Sequence, residues 1–281
     1  MENKVISIDG PSGSGKTSIG KMLSKRLDAH FLSSGLIYRM LVVSISNISK
    51  DDAYKKFISD ISKFYSDCIE NRFTLEVIDF NDSSISIRYK ENQTEEEFIY
   101  KTKLIDEQLY SAETSILTSK FSQLGILRNA VSAYLNKYVQ KNKLSVVEGR
   151  DIGSVVFKDA VMKIYIDSPV ELRAKRRLSQ SSNKEGIDNI VKRDEMDKMR
   201  DNSPLIVPDG AFILLNEDQS LEEIVDLLEE EYFPLPVELR KIHKNLDLFL
   251  NHIFPLAKNT QGDIDISNDK DWTATDALNE L

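Results

Sequence analysis

The sequence is poor in the residues that crosslink a chain or bind metals. Its 281 residues include one cysteine, Cys68, and three histidines, so an internal disulfide is excluded and no Cys/His cluster has metal-ligand spacing. No stretch reaches the 18 or so apolar residues of a membrane-spanning helix. The N-terminus also lacks the basic segment and apolar core of a secretory signal. We therefore expect a cytoplasmic protein.

Basic residues are also fewer than acidic residues. The chain carries 37 Lys and Arg residues against 46 Asp and Glu residues, a net charge of −9. Such a balance disfavours bulk attraction to nucleic acid or to an anionic membrane. We expect neither partner, and any activity must come from a local site.

Short strand-like runs alternate with helical patterns along most of the chain. A β-rich run over 4–9 stops at Gly10-Pro11, and residues 17–27 then have helical apolar spacing. A second pair follows at 31–32 and 36–46, and further runs lie at 144–147, 160–166 and 211–215. This alternation predicts an α/β fold with a parallel β-sheet flanked by helices.

Two regions depart from this alternation. Residues 50–125 are rich in Lys, Glu, Ser and Asp and contain a predicted hairpin, 72–78 with 84–89 around Asn81-Asp82. We interpret them as a small α+β insertion over about 45–118. The polar stretch 179–189 is typical of a mobile segment.

The last 51 residues, 231–281, form a C-terminal extension. Helical spacing after Pro236 predicts a helix, and an Asp-rich tail with few apolar residues follows from Asn259. The helix either packs on the rest of the chain or contacts a partner; we expect a monomer, with the second interpretation left open.

A glycine-rich loop provides the first functional signal. Residues 10–17 fit the pattern G-x-x-x-x-G-K-[ST] between a strand and a helix. Its backbone N–H groups and the helix N-terminus would cradle phosphates. Lys16 would bridge the β- and γ-phosphates and Thr17 would coordinate Mg²⁺. The predicted ATP-binding residues here are Gly10, Pro11, Ser12, Gly13, Ser14, Gly15, Lys16 and Thr17.

The other polar clusters fall where predicted strands end, which is where ligands of open α/β sheets gather. They comprise Ser34 with Arg39, Glu148 with Arg150 and Asp151, and Arg193 with Asp197 and Arg200. Converging arginines indicate a second anion besides the ATP phosphates. The alternative is a solvated, charged face with exposed ion pairs.

These motifs together resemble the bacterial type of cytidylate kinase, a nucleoside monophosphate kinase, over roughly residues 1–230 and weakly between 45 and 118. The motifs that carry the resemblance are Ile8-Asp9-Gly10-Pro11-Ser12-Gly13-Ser14-Gly15-Lys16, Ser34-Gly35 with Tyr38-Arg39, Val147-Glu148-Gly149-Arg150-Asp151-Ile152-Gly153, Val155-Val156-Phe157, Arg173-Ala174 with Arg176-Arg177, Arg193-Asp194 with Asp197 and Arg200, and Pro204-Leu205.

The resemblance implies transfer of the ATP γ-phosphoryl group to CMP or dCMP. It implies an NMP-binding role for the insertion and a lid over about 178–192. It places Arg39, Arg150 and Arg200 on the CMP phosphate, Arg193 and Asp197 on the sugar, Ser34, Ser119, Arg128 and Asp151 at the base, and Arg173 and Arg176 near the ATP phosphates. Lys16, Arg150 and Arg200 are the expected catalytic cations.

Two departures from the family pattern stand out. Ser33 replaces an aspartate that the family usually has before the Ser/Thr-Gly of its second strand end, and Leu124-Gly125 stands where the family tends to have a proline. Two other functions remain open: a related kinase acting on another acceptor such as UMP, and a nucleotide-switched binding module. A switch has no need of a second phosphate pocket, so the arginines disfavour it.

Overall fold

The computed structural model describes residues 4–48, 73–91, 98–103, 106–180, 187–200, 203–217 and 219–232. The predicted C-terminal helix and acidic tail, Cys68 and the middle of the predicted lid lie outside these ranges. Residues Met1–Tyr232 form one compact unit. Within the described ranges, no helix combines the length and the apolar character needed to cross a membrane.

The elements follow one another along the chain as β1 (Lys4–Asp9), α1 (Lys16–Arg26), β2 (His30–Ser33), α2 (Ser34–Ile48), β3 (Phe73–Asn81), β4 (Ser84–Glu91), β5 (Phe98–Lys103), α3 (Asp106–Leu109), α4 (Ala112–Phe121), α5 (Gly125–Val139), β6 (Leu144–Glu148), a π-helix (Ile152–Val156), β7 (Met162–Asp167), α6 (Val170–Gln180), α7 (Ile187–Lys198), β8 (Phe212–Leu215) and α8 (Leu221–Tyr232).

Five parallel strands form the central sheet in the order β2-β6-β1-β7-β8. The predicted α/β fold with a parallel sheet is therefore confirmed. The strands are apolar runs because helices cover both faces of the sheet. On β1, Val5 faces the apolar cluster beneath α2 and α5, whereas Ile6 and Ile8 face the cluster beneath α1 and α8. Because β1 is the middle strand, the loop after it lies at the centre of the sheet's carboxyl edge.

A second, antiparallel sheet has the order β3-β4-β5. The predicted hairpin is confirmed at β3–β4, where the Asn81 side chain accepts hydrogen bonds from the backbone N–H groups of Ser83 and Ser84 at 3.0 and 2.9 Å. Val77, Ile85 and Ile87 are buried in the same apolar cluster as α2 and α5. This packing joins the insertion to the central sheet.

Helix α8 begins with a capping box. The Ser220 N–H donates to Glu223 Oε2 at 2.8 Å, and the Glu223 N–H donates back to Ser220 Oγ at 3.2 Å. These bonds satisfy two of the backbone donors that a helix start leaves unpaired. The helix packs against α1 and covers one face of the sheet.

Candidate active site

The phosphate loop, residues 10–17, takes its shape from three glycines. Gly10, Gly13 and Gly15 have φ values of 147°, 77° and 98°, which side chains disfavour. A Cβ at Gly10 would also lie 2.0 Å from the carbonyl oxygen of Ile166. Only glycine lets the chain leave β1 and turn into α1 here.

Lys16, at the start of α1, folds back over the loop. Its Nζ donates to the Pro11 carbonyl oxygen at 2.6 Å. Burial, and after it the positive charge of Arg150, lower the pKa of Lys16 to about 7. The Lys16 side chain is thus held where an anion bound in the loop would favour its protonated form.

Asp9, the last residue of β1, anchors the segment after β6. Its two carboxylate oxygens accept hydrogen bonds from the N–H groups of Ile152 and Gly153, each at 2.7 Å. Burial raises the pKa of Asp9 to about 6, although both hydrogen bonds favour the charged form. The anchor fixes the chain that carries Arg150 and Asp151. This role of Asp9 was not predicted, although a carboxylate at the end of a buried strand was a usable signal.

Glu148 lies at the end of β6, and one of its carboxylate oxygens accepts hydrogen bonds from two hydroxyl groups. Thr17 Oγ1 donates to Glu148 Oε1 at 2.8 Å and Ser33 Oγ donates to it at 2.6 Å. Ser33 Oγ also accepts from the Leu36 N–H at 3.2 Å. Ser33, which replaces the aspartate usual in the family that the sequence resembles, therefore orients Glu148 and caps the first turn of α2. This role of Glu148 was not predicted from the sequence either, although the residue belongs to a predicted polar cluster at a strand end.

Two arginines share the carboxylate of Asp197. Arg150 Nε donates to Asp197 Oδ2 at 2.7 Å, and Arg200 Nη2 donates to Asp197 Oδ1. Arg150 also donates to the Gly10 carbonyl oxygen at 2.6 Å. Burial raises the pKa of Asp197, but the two arginines outweigh it and hold the pKa below its usual value. Asp197 thus joins residues predicted for the acceptor phosphate, in addition to its predicted place at the sugar.

Arg128 and Asp151 form a buried ion pair between α5 and the segment after β6, with side chains 9% and 6% exposed. Arg128 Nη1 also donates to the Ser122 carbonyl oxygen at 2.9 Å. Both were predicted at the base. Their separation by 23 positions in the chain gave no sign of this contact.

Arg39 reaches from α2 to the start of α4. Its Nη1 donates to the Leu109 carbonyl oxygen at 2.8 Å and to Ser115 Oγ at 3.1 Å. The guanidinium also lies 5.3 Å from the ring centroid of Tyr110, a cation–π contact. The sequence analysis missed Tyr110 because it lies in the stretch of weak resemblance.

Asn216 follows β8 and holds the loop from its other side. Its Nδ2 donates to the Ser14 carbonyl oxygen at 2.8 Å, and its Oδ1 accepts from Arg176 Nη2 at 3.0 Å. The rule that site residues follow strand ends would have found it.

These residues surround one cavity of about 740 Å³, within the range typical of small-molecule sites. The predicted site residues that line it are Ser12, Gly13, Gly15, Lys16, Thr17, Ser34, Arg39, Ser119, Arg128, Arg150, Asp151, Arg176, Arg193, Asp197 and Arg200. Among the residues that the structure describes, Gly10, Pro11, Ser14 and Arg173 were predicted for the site but do not line the cavity. The first three shape the loop's backbone, whereas Arg173 lies beside Ser12, outside the cavity.

Comparison with known proteins identifies a protein family that the sequence matches. The family model described as cytidylate kinase matches residues 6–232. The cytidylate kinase of Chlamydia felis is 34% identical over 236 residues, 81% of this chain and 99% of that protein. The cytidylate kinase of Chlamydia caviae is 32% identical over 228 residues, 79% and 94% of the two chains. A solved structure of shikimate kinase from Acinetobacter baumannii in complex with shikimate covers 82% of this chain and 93% of that chain at 15% identity, with a TM-score of 0.40.

Proposed function

This chain belongs to the cytidylate kinase family, and we propose that it transfers the γ-phosphoryl group of ATP to CMP or dCMP, giving ADP and CDP or dCDP. The observation that carries the proposal is the single cavity that holds both the phosphate loop and the Arg150–Asp197–Arg200 cluster. Phosphoryl transfer between two nucleotides requires two anion sites that face each other. The cavity has residues for both.

The donor nucleotide would occupy the loop. Backbone N–H groups of residues 13–17 and the N-terminus of α1 favour phosphate oxygens, and Lys16 supplies a positive charge at the same place. Arg176 lines the cavity beside the loop and is oriented by Asn216. We assign ATP to this side.

The acceptor phosphate would lie between Arg39, Arg150 and Arg200. Guanidinium groups bind phosphate bidentately, and all three side chains line the cavity. Asp197 holds two of them at a fixed separation, so less conformational entropy is lost when the phosphate binds. Arg193 and Asp197 would reach the sugar.

The base would be selected by Asp151. Cytosine presents an exocyclic amine, which donates to a carboxylate, whereas uracil presents a carbonyl oxygen that a carboxylate repels. Arg128 holds Asp151 in place through the buried ion pair. Ser34 and Ser119 also line the cavity.

Catalysis in this proposal consists of positioning and charge neutralisation. Lys16, Arg150 and Arg200 would stabilise the charge on the transferred group, and no covalent enzyme intermediate is required. The β3–β5 sheet with its helices would serve as the NMP-binding insertion, and residues 178–192 as a lid that excludes water. We propose that the protein works as a monomer in the cytoplasm.

The donor set fits a magnesium ion that arrives with the nucleotide. Within the described residues, no group of three or more Asp, Glu, His or Cys side chains could hold a metal alone. Mg²⁺ in such sites is bound by one or two protein oxygens and by substrate phosphates. Thr17 would hold it: its hydroxyl proton is donated to Glu148, which leaves the lone pairs of the oxygen for a cation. When bound, the ion supplies positive charge to the phosphate oxygens.

A coupled ADP-release assay with CMP, dCMP, UMP, AMP and GMP tests the proposal. We expect turnover with CMP or dCMP well above that with the other acceptors. Turnover with UMP or AMP but not CMP would contradict the base assignment and favour a related kinase. ADP release that no acceptor stimulates would favour a nucleotide-switched binding module.

A further inference from the structure

A buried ion pair lies beside the phosphate loop, outside the cavity. Arg173 on α6 and Asp194 on α7 are bonded through Arg173 Nη1 and Asp194 Oδ2, and their side chains are only 9% and 8% exposed. In the part of the chain that the structure describes, the cavity lining includes Arg176 and Arg177 but neither member of this pair. The pair therefore faces the loop's backbone and not the space in which a nucleotide would bind.

Both partners converge on one residue of the loop. The Ser12 N–H donates to Asp194 Oδ1 at 3.3 Å, and the Ser12 carbonyl oxygen accepts from Arg173 Nη1 at 3.1 Å. Arg173 Nε is directed elsewhere, to the Ser168 carbonyl oxygen at 2.8 Å. The pair thus fixes the peptide groups on both sides of Ser12.

The backbone of α6 supports the next residue of the loop. A Cβ added at Gly13 would lie 3.0 Å from the Arg173 carbonyl oxygen and 3.2 Å from its Cβ. Helix and loop are therefore in direct contact at Gly13. The direction of the loop's N–H groups depends on this support, because the glycines allow many other conformations.

We propose that Arg173 and Asp194 are positioning residues for the donor nucleotide, and that Arg173 does not contact the ATP phosphates. This inference rests on the proposed function. Arg173 directs its donors to two carbonyl oxygens and a carboxylate, so contact with a phosphate would require it to leave a buried pair, which is costly. The pair instead keeps the loop preorganised for phosphate.

Calorimetric titration of the full chain with ADP, without metal, tests the proposal. We compare Asp194→Asn, Arg173→Met and the double variant. Each single change should raise the Kd for ADP about tenfold, equivalent to about 1.4 kcal/mol, and the double variant should bind no more weakly than either one. Additive losses would overturn the proposal, because they mean that the two residues act independently.

Asp194→Asn is the decisive variant, since it leaves the charge of Arg173 in place. If Arg173 bound phosphate directly, freeing it from Asp194 would leave ADP binding unchanged or tighter, and that result would overturn the proposal. This comparison remains valid even if Arg173→Met does not fold.

Two controls separate positioning from general stability. The exposed pair Arg26–Asp226 joins α1 and α8, and Arg26→Met and Asp226→Asn should leave the Kd for ADP unchanged. In steady-state assays the KM for ATP should rise in Asp194→Asn while the KM for CMP stays constant; an equal rise in both would overturn the proposal. The unaltered chain must first phosphorylate CMP. If it does not, the proposed function is wrong. If the unaltered chain is active and Asp194→Asn binds ADP as tightly as the unaltered chain does, only the present inference is wrong.

Discussion

In the proposed function, Asp151 has the most specific chemical task of the residues in the cavity. In Asp151→Asn the amide presents both a donor and an acceptor, so it no longer repels the uracil carbonyl. We expect the ratio of kcat/KM for CMP to that for UMP to fall about tenfold or more, while the KM for ATP changes little. Steady-state kinetics with both acceptors measures this ratio.

The control for that experiment is Asp226→Asn, which removes an exposed carboxylate of the same type. Equal losses with CMP and UMP in Asp151→Asn would remove Asp151 from base recognition. Asn can still accept a hydrogen bond from Arg128 but leaves its buried charge unpaired, so the free energy of unfolding should fall markedly, and urea denaturation must show that the variant is folded under the assay conditions.

The pKa of Lys16 predicts how nucleotide binding depends on pH. Its pKa, ordinarily 10.5, is lowered by burial to about 7 in the free protein, so the amine becomes neutral as the pH rises above 7. Phosphates favour the ammonium, and binding in this range must take up a proton. We expect the Kd for ADP to rise between pH 7 and pH 9.

Calorimetry in buffers of different ionisation enthalpy measures that proton uptake directly. Lys16→Met should bind ADP more weakly and should lose the part of the uptake that belongs to the lysine. A Kd that stays constant from pH 7 to pH 9 in the unaltered protein would show that Lys16 keeps its charge throughout.

At the scale of single elements, α4 depends on Ser111, the N-cap residue that precedes it. Ser111 Oγ accepts a hydrogen bond from the Thr114 N–H at 3.1 Å, and the helix carries Ser115, a partner of Arg39. Ser111→Ala should lower the free energy of unfolding by about 1 kcal/mol, measured by urea denaturation. Ser111→Asp retains a cap acceptor and should lose much less; equal losses in both variants would mean that the hydroxyl acts other than as a cap.

Periodicity predicted helices α1 and α2 and the five central strands because their apolar residues recur at fixed intervals and face the two clusters of the core. It did not predict the π-helix at Ile152–Val156. That turn is held by Asp9, whose carboxylate lies 143 positions earlier in the chain. Strand β5 was also missed, since its residues carry lysines and lie beside a Glu-rich stretch without turn signals.

For the molecule as a whole, the sequence predicted which residues meet but not how they pair. The rule that ligands gather at strand ends brought the arginines and carboxylates to one edge of the sheet, and the structure places them around one cavity. Pairings such as Thr17 with Glu148, 131 positions apart, depend on the register of parallel strands. No local pattern encodes that register or the packing of helix α7 against the sheet's carboxyl edge, so the sequence did not pair Asp197 with Arg150 and Arg200.

The compact unit Met1–Tyr232 predicts the behaviour of a shortened chain. All residues named above in the two apolar clusters and the cavity lie before residue 233. A chain ending at Tyr232 should therefore remain soluble and keep its kcat and KM for ATP and CMP. Steady-state assays and the mass in solution check this. Loss of solubility or activity would instead assign the extension a contact that the enzyme needs.

The ion pair of Arg128 and Asp151 constrains how a lineage of this protein could change its preferred base. Removing either charge alone leaves the other unpaired in the interior, a loss of roughly 3–5 kcal/mol from a total stability of about 5–15 kcal/mol. If Asp151 selects the base, most intermediates on the way to another preference would fold poorly and be removed by selection. The two positions must then change together, or a stabilising substitution elsewhere must come first.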